Sequence, residues 1–280
     1  MVTKSFGIYN GDNEHFLNKD DILILEVGKS HIALVLVNTN KIINGFELFT
    51  FVENEATVDK LFTAIGNTSR FLNHSFDSVK IYINHELCLP VPSDKFSKGV
   101  SNDYLNMIFG FDNHSTVHTD LIEIQPQLVC LYRVSQELLD LLIPRFTNIE
   151  IKHTWTNILK TITTLTGMSS LPFIYVQFYN TYFITAVVKD GILQLIQNFI
   201  YENPEDVLYQ LLNVAAQHQL DTNIVEVRVC GVLDPNYKLY RELSNYFKNI
   251  VSEKIDPTYS LINVNDYPGH YFTPFFNLAL

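Results

Sequence analysis

Basic residues are scarce in this chain: Lys and Arg number 19 against 30 Asp and Glu, for a formal charge of −11 at neutral pH. That balance repels phosphate backbones, and no basic stripe overrides it, so general nucleic-acid binding is not expected. No uninterrupted apolar run is long enough to cross a bilayer, and the N-terminus lacks the apolar core of a signal peptide. Direct membrane insertion is not expected, and a cytoplasmic location is. Cysteine is represented by Cys88, Cys130 and Cys230, far apart and forming no C-x-x-C pair. Each lies in or beside an apolar run, which predicts buried free thiols in a reducing compartment. No P-loop, G-x-S-x-G or dinucleotide fingerprint is present.

What the chain does have is 47% hydrophobic and 18% charged residues, a globular balance, with 15 tyrosines and 20 phenylalanines suited to pleated sheet surfaces. The opening stretch Asp21-Ile-Leu-Ile-Leu-Glu-Val-Gly-Lys-Ser-His-Ile-Ala-Leu-Val-Leu-Val-Asn38 reads as two apolar strands about a tight turn at Gly28-Lys29. A Gly-X centre of that kind predicts positive φ at Gly28. A third strand is expected over Ile42 to Val52, a helix with Val58, Leu61, Phe62 and Ile65 on one face over Ala56 to Phe71, and a short strand over Val79-Lys-Ile-Tyr-Ile83. The second half repeats the order: strands over Phe173 to Phe178, Thr181 to Val188 and Ile192 to Tyr201, a helix from Pro204 to His218, then Ile224-Val-Glu-Val-Arg-Val-Cys230. Glu26 falls on Gln177 and Val37 on Val188 without a gap. Repetition of a whole β-β-β-α-β unit points to a duplicated domain.

Between the repeats, Gln127 to Arg133 is a strand and Ser135 to Ile143 a helix. Glu150-Ile-Lys-His-Thr154 leads into a helix from about Asn157 to Leu165. Gly167-Met-Ser-Ser170 is the boundary candidate, giving subdomains over 1–166 and 167–280. Pro90 to Asp120 is expected to be irregular, with a short helix near Tyr104. The aromatic segment Tyr267-Pro-Gly-His-Tyr-Phe-Thr-Pro-Phe-Phe-Asn-Leu-Ala-Leu280 is expected to pack back onto the body.

The fold class expected is therefore α/β, with two mixed sheets flanked by helices. Three antiparallel strands, then helix and parallel strand, occurring twice, resemble the duplicated ribonuclease-H-like unit of actin-like ATPases. The hairpin Leu25-Glu-Val-Gly-Lys-Ser30, with Val79 to Ile83, Val129-Cys-Leu-Tyr-Arg-Val134, Ile151-Lys-His-Thr154 and the segment from His270 to Leu280, is similar to an uncharacterised family of actin-like proteins from Bacteroidota. More distantly the chain resembles the cytoplasmic actin-like proteins of pilus assembly and type II secretion.

The resemblance implies where a nucleotide would sit: phosphates between two small-residue turns, an acid near each turn, and a glycine-rich turn beside the adenosine. The matching positions are Glu26, Gly28, Lys29 and Ser30 on the first turn, Gln177, Tyr179 and Asn180 on the second, and Gly231 in Cys230-Gly-Val-Leu-Asp234. The first turn carries Glu for Asp and its hydroxyl one place late. The second has neither acid nor glycine and a tyrosine to crowd a phosphate. The third keeps one glycine where two are usual. Lys29 is placed either to meet an anion or to stand solvated on an ordinary hairpin, the latter preferred. Three defects together argue against ATP hydrolysis.

The expected function is thus a non-catalytic scaffold or adaptor, a pseudo-ATPase with a vestigial cleft and no cofactor, Mg-ATP being disfavoured. Its expected partner is another protein, by resemblance the cytoplasmic segment of a membrane component. The rival readings are a nucleotide-binding ATPase or sugar-kinase-like enzyme with atypical phosphate loops, and a ribonuclease-H-like nuclease, for which Glu26 is the only acid on the opening hairpin. His114-Ser-Thr-Val-His118, with Asp112 and Asp120 nearby, has zinc-like spacing but reads as a surface loop, since Ser-Thr-Val does not favour helix. His153 reads as a structural histidine.

Overall fold

The computed structural model describes residues 2–11, 17–53, 56–124, 126–167, 171–233 and 238–280. Its first part runs β1 (Thr3–Tyr9), β2 (Ile22–Gly28), β3 (His31–Val37), β4 (Ile43–Thr50), α1 (Val58–Gly66), β5 (Ser78–Asn84), β6 (Cys88–Pro92), α2 (Ser101–Phe109), β7 (Ser115–Ile122), β8 (Leu128–Ser135), α3 (Gln136–Leu142), β9 (Ile149–His153) and α4 (Thr154–Thr166). Next come β10 (Phe173–Phe178), β11 (Tyr182–Lys189), β12 (Ile192–Ile200), α5 (Pro204–Gln217), β13 (Glu226–Gly231), α6 (Lys238–Tyr246), β14 (Asn249–Ser252) and α7 (Thr273–Phe276).

The chain divides into two compact units, one of Met1–Leu159, Asp256–Asn263 and Leu278–Leu280, the other of Lys160–Ile255 and Val264–Asn277. The first unit holds a six-stranded sheet in the order β1-β4-β3-β2-β5-β9. Its first four strands are antiparallel, while β5 and β9 run parallel to β2. β3 is buried along its whole length, which is why it reads as a continuous apolar run instead of an alternation. A second sheet in this unit, β6-β8-β7, packs α2 through Leu105 against Val91, Val129 and Leu131.

The second unit holds the sheet β12-β11-β10-β13-β14, with β12 and β11 antiparallel to their neighbours and β13 and β14 parallel to β10. This is the order and direction of β4-β3-β2-β5-β9. Helices α5 and α6 contribute Val207, Leu211, Val214, Leu239 and Leu243 to a core with Ile174, Val176, Phe178 and Phe183. Asn203 caps α5 in a reciprocal box with Asp206, and Pro204 takes the first turn. Phe272, Phe275, Phe276 and Leu278 of the aromatic C-terminal segment are buried.

Several local expectations differ from what is observed. Pro90 to Asp120 holds the short helix expected near Tyr104, as α2, but is more regular than expected, since the end of β6 and most of β7 also lie within it. His114 to His118 enters strand β7 and not a loop, because Asp112 accepts bonds from the His114 N–H (2.7 Å) and the Ser115 hydroxyl (2.6 Å) and turns the β-branched run into an edge strand. Helix α4 starts at Thr154, earlier than Asn157. Residues 168–170 of the boundary candidate and Asp234 of the third turn lie outside the described residues.

Strand β1 was not expected, and one buried acid explains its place. Glu47 on β4 is fully buried and accepts from Lys4 Nζ (2.7 Å), Tyr9 Oη (2.6 Å), Ser69 Oγ (2.5 Å) and the Arg70 N–H (2.9 Å). Burial, then the Glu47 carboxylate, push the Tyr9 hydroxyl well above its ordinary value, so it remains a donor. The Arg70 guanidinium lies 4.2 Å over the Tyr9 ring. Replacing Glu47 with Ala takes the shared acceptor from all four donors, of which Lys4 keeps Tyr9 Oη and the Thr68 carbonyl, and should cost about 3 kcal/mol in urea unfolding. A loss below about 0.5 kcal/mol, the size of an ordinary surface change, would show that the acid does not hold β1.

Candidate functional site

The carboxyl ends of adjacent parallel strands are where open α/β sheets place their ligands. In the first unit, Gly28 of β2 pairs with Asn84 of β5, and Ile83 of β5 with His153 of β9, so those ends lie side by side. Glu26 points in among them and is fully buried. Its Oε1 accepts from Asn84 Nδ2 (3.0 Å) and Thr154 Oγ1 (2.8 Å), and its Oε2 lies 3.0 Å from His31 Nε2. Gly28 does not have positive φ. It is glycine for a different reason than the turn type: a Cβ there would stand 2.3 Å from the His31 ring, which must lie across Gly28 to reach Glu26.

A second buried acid lies in the same unit. Asp120 on β7 accepts from Tyr132 Oη (3.0 Å), the His153 N–H (2.8 Å) and Thr156 Oγ1 (2.6 Å). The start of α4 is thus held by Asp120 through His153 and Thr156, and by Glu26 through Thr154. The histidines beside it are fixed in one neutral form. His153 Nδ1 accepts from the Trp155 N–H (3.1 Å), so its Nε2–H donates to the His85 carbonyl (3.1 Å). His85 repeats the arrangement, with Nδ1 accepting from the Leu87 N–H (3.1 Å) and Nε2 on the Arg133 carbonyl (2.7 Å). Burial holds both rings below the ordinary imidazole range, His153 far below it. His153 is therefore the structural histidine the sequence suggested.

Lys29 is not a free cation. Its Nζ is ion-paired with Glu86 and lies 3.8 Å from Glu53. Burial raises the Glu86 carboxyl, but the Lys29 bond, a backbone bond and the Lys29 charge together hold it below the usual range. The Ser30 carbonyl accepts from the Phe51 N–H (3.0 Å), tying the turn to the chain beyond β4.

In the second unit Gln177, Tyr179 and Gly231 share one end of the sheet, since Phe178 pairs with Gly231. Gln177 is buried, its Nε2 donates to Tyr179 Oη (2.6 Å), and its Oε1 accepts from Tyr175 Oη (3.2 Å). Tyr179 is buried against Tyr182, with ring centroids 4.7 Å apart, and meets the edge of Phe275 at 6.0 Å. Asn180 stands exposed at the tip. Gly231 has φ +93°, and a Cβ there would lie 2.1 Å from the Phe178 carbonyl oxygen. Its N–H donates to the His270 carbonyl (2.8 Å), so the C-terminal segment caps this strand end. Burial pushes the neighbouring Cys230 thiol up to about 12, an inert group.

Among the described residues, no group of three or more His, Cys, Asp and Glu side chains is arranged to hold a metal. All three cysteines are free and buried. Sequence reasoning missed Asn84, Thr154 and Thr156, and met Asp120 only as a neighbour of the His114 and His118 spacing. The available signal was the run His153-Thr-Trp-Thr156, two hydroxyl residues at a strand-to-helix junction.

A family model described as "Protein of unknown function (DUF3822)" matches residues 12–250. No curated protein matches the chain. Among solved structures, a Bacteroides thetaiotaomicron protein described as having an actin-like ATPase fold and unknown function superposes with a TM-score of 0.72 at 16% identity, over 84% of this chain and 91% of that one. A structure titled "PilM-PilN type IV pilus biogenesis complex" gives 0.58 at 10% identity, over 94% and 98%. At these identities the likeness shows the fold, and that fold is actin-like.

Two outcomes follow from this geometry. Exchanging Glu26 for Ala should cost about 3–5 kcal/mol of stability, and for Gln far less, since Gln keeps an acceptor for Asn84 and Thr154. Urea unfolding decides it: a stability-neutral Glu26→Ala would mean the carboxylate is not structural. The histidines give a pH signature. Their folded values lie below the ordinary 6.5, so the unfolded chain binds more protons as pH drops. Their contribution is complete above 6.5 and is lost below it, by up to about 1.4 kcal/mol per pH unit for each ring. His118, lowered by burial, acts in the same direction. The slope of stability between pH 6.5 and 5 should flatten by one proton in His153→Gln, and an unchanged slope would refute the assignment.

Proposed function

The chain belongs to the DUF3822 family, and from that premise we propose that it is a non-catalytic actin-like scaffold or adaptor whose nucleotide site is degenerate and which binds another protein. The observation that carries this reading is Glu26. It stands where the fold's resemblance puts the acid that orients the metal and its waters, yet it is fully buried and engaged by His31, Asn84 and Thr154. A carboxylate spent on three protein donors has little left for a hydrated Mg²⁺.

The other two positions, both in the second unit, support the same view. Phosphate-binding turns need backbone N–H groups open to close approach, and Tyr179 fills its turn with a buried ring stacked on Tyr182. Gly231 keeps its left-handed conformation, but its N–H is used by the His270 carbonyl. Lys29, the one cation on the first turn, is neutralised by Glu86 and Glu53.

The matching strand order of the two five-strand arrays is read as an internal duplication, with the junction of the copies near Gly167. The neighbour titled as a PilM–PilN complex is captured with a protein partner, which supports a partner-binding role for this fold here. No helix among the described residues is long and apolar enough to cross a membrane. On this reading the protein works in the cytoplasm on another protein, the cytoplasmic segment of a membrane component being the partner implied by the sequence resemblance. The charge of −11 opposes a nucleic-acid partner.

Thermal unfolding with and without Mg-ATP or Mg-ADP tests the reading. Ligand at a hundredfold excess over its Kd stabilises by about 2.7 kcal/mol, a shift of several degrees. No shift is expected here. A shift of several degrees that disappears in Lys29→Ala would replace the adaptor with a nucleotide-binding protein.

A further inference from the structure

Every open sheet must protect its edges from unwanted pairing, and proteins do so with charge, proline, shortness or a covering element. Among the described residues the three sheets present six edge strands, and five are guarded in these ways. β1 carries Lys4, β7 carries Asp120, and β9 carries Glu150 and Lys152. β6 contains Pro90 and Pro92, and β14 has only four residues. β12 is the exception. Its nine residues, Ile192-Leu-Gln-Leu-Ile-Gln-Asn-Phe-Ile200, include neither a charge nor a proline. Its one irregularity is a bulge near the start, between the partners of Val187 and Val188.

The first unit shows what is missing. β4 holds in its sheet the place that β12 holds in the other, and β1 lies antiparallel along its outer side. β4 is buried at every position but its last, whereas no residue of β12 is fully buried, with Ile192 47% and Ile200 75% exposed. Among the described residues no strand pairs with the outer side of β12. The Tyr201 N–H donates to Thr181 across the β11 side (3.1 Å), so the alternate residues Ile196 and Ile200 turn their backbone groups outward.

We propose that β12 is a docking edge, which an extended peptide segment of a partner protein joins as an antiparallel strand with a basic residue at its amino end. This rests on the adaptor reading and names the surface it uses. Backbone pairing along β12 supplies the affinity, and alternate apolar residues of the incoming segment cover Ile196 and Ile200. Charge sets the direction and identity. In antiparallel addition, as for β1 on β4, the amino end of the segment lies beside the carboxyl end of β12, where Glu202 is exposed. A lysine or arginine there is complementary. A second copy of the chain fits worse: two β12 strands paired antiparallel bring the exposed Asp190 of each beside Glu202 of the other.

The test uses the whole chain and a fluorescein-labelled probe of alternating valine and threonine with a lysine pair at its amino end, beside a counterpart with a glutamate pair. The expected result is saturable binding of the basic probe with amide shifts along β12 and none along β14, and weaker binding of the acidic one. Ile196→Pro removes an outward donor without touching the β11 ladder, and should weaken binding by about fivefold to tenfold, the worth of one backbone hydrogen bond. Ile200→Lys, at an exposed position, should do the same should the proline variant fold poorly. Equal affinity for both probes, shifts away from β12, or a dimer that Ile200→Lys dissolves would each overturn the proposal. A native partner retained equally by wild type and Ile200→Lys would remove strand addition while leaving the adaptor reading intact.

Discussion

Two buried carboxylates, Glu26 and Asp120, decide where α4 begins and how the strands beside it align. A helix start leaves N–H groups without partners, and burying it is costly unless something accepts from it. Here the His153 ring takes the Trp155 N–H, and the carboxylates hold the residues around it, Asp120 through the His153 N–H and the Thr156 hydroxyl and Glu26 through the Thr154 hydroxyl. Because Glu26 lies on β2, Asn84 ends β5 and Thr154 follows β9, a single side chain ties together three parallel strands. A one-residue slip would turn Glu26 to the opposite face and leave a buried charge unpaired, several kcal/mol uphill. The register of this sheet is therefore set by polar side chains as much as by its apolar faces. Helix α4 then carries the chain from the first compact unit into the second, the division falling between Leu159 and Lys160.

The elements legible in the sequence are those whose burial wrote a pattern. β2, β3, β10 and β11 are buried on both faces and appear as apolar runs between turns. Helix α5 carries its own start signal in Asn203, Pro204 and Asp206. What escaped was polar or long-range. β1, with exposed and half-buried positions alternating, has no run of apolar residues, and it is anchored through Lys4 and Tyr9 to an acid on a strand far along the chain. The two prolines of β6 argue against a strand until the edge position is known. Gly28 was legible as a required glycine, but the requirement comes from the His31 ring and not from turn geometry.

The site was legible to the same limited degree. Glu26, Gly28, Lys29 and Ser30 sit together on one hairpin, as adjacency in sequence dictates, and Gln177, Tyr179 and Gly231 share one sheet end. Asn84 ends β5, Asp120 lies on β7 and Thr154 opens α4, so they meet their partners only through the folded sheet, and beyond the hydroxyl pair of His153-Thr-Trp-Thr156 no local pattern nominates them. The unguarded character of β12 has the same origin. Its nine uncharged residues are plain in the sequence, but that they form an edge, and that the equivalent edge in the other unit is covered, are facts of topology.

On the adaptor reading, the substitution of Glu for Asp on the first turn has a physical account. Neighbouring strands are about 4.8 Å apart, so Thr154, following a strand two places from β2, lies roughly 10 Å away across the sheet. An aspartate at position 26, one methylene shorter, would fall short of that hydroxyl unless the backbone moved. The longer side chain reaches Thr154 and Asn84 with one oxygen while the other meets His31. A metal-orienting acid needs the reverse: a short, fixed stem and lone pairs open to water. The residue that makes this turn a poor fit to the nucleotide-binding pattern is thus the one that holds the sheet and α4 together. An aspartate restored there would have to regain a metal site and replace a structural clamp at the same time.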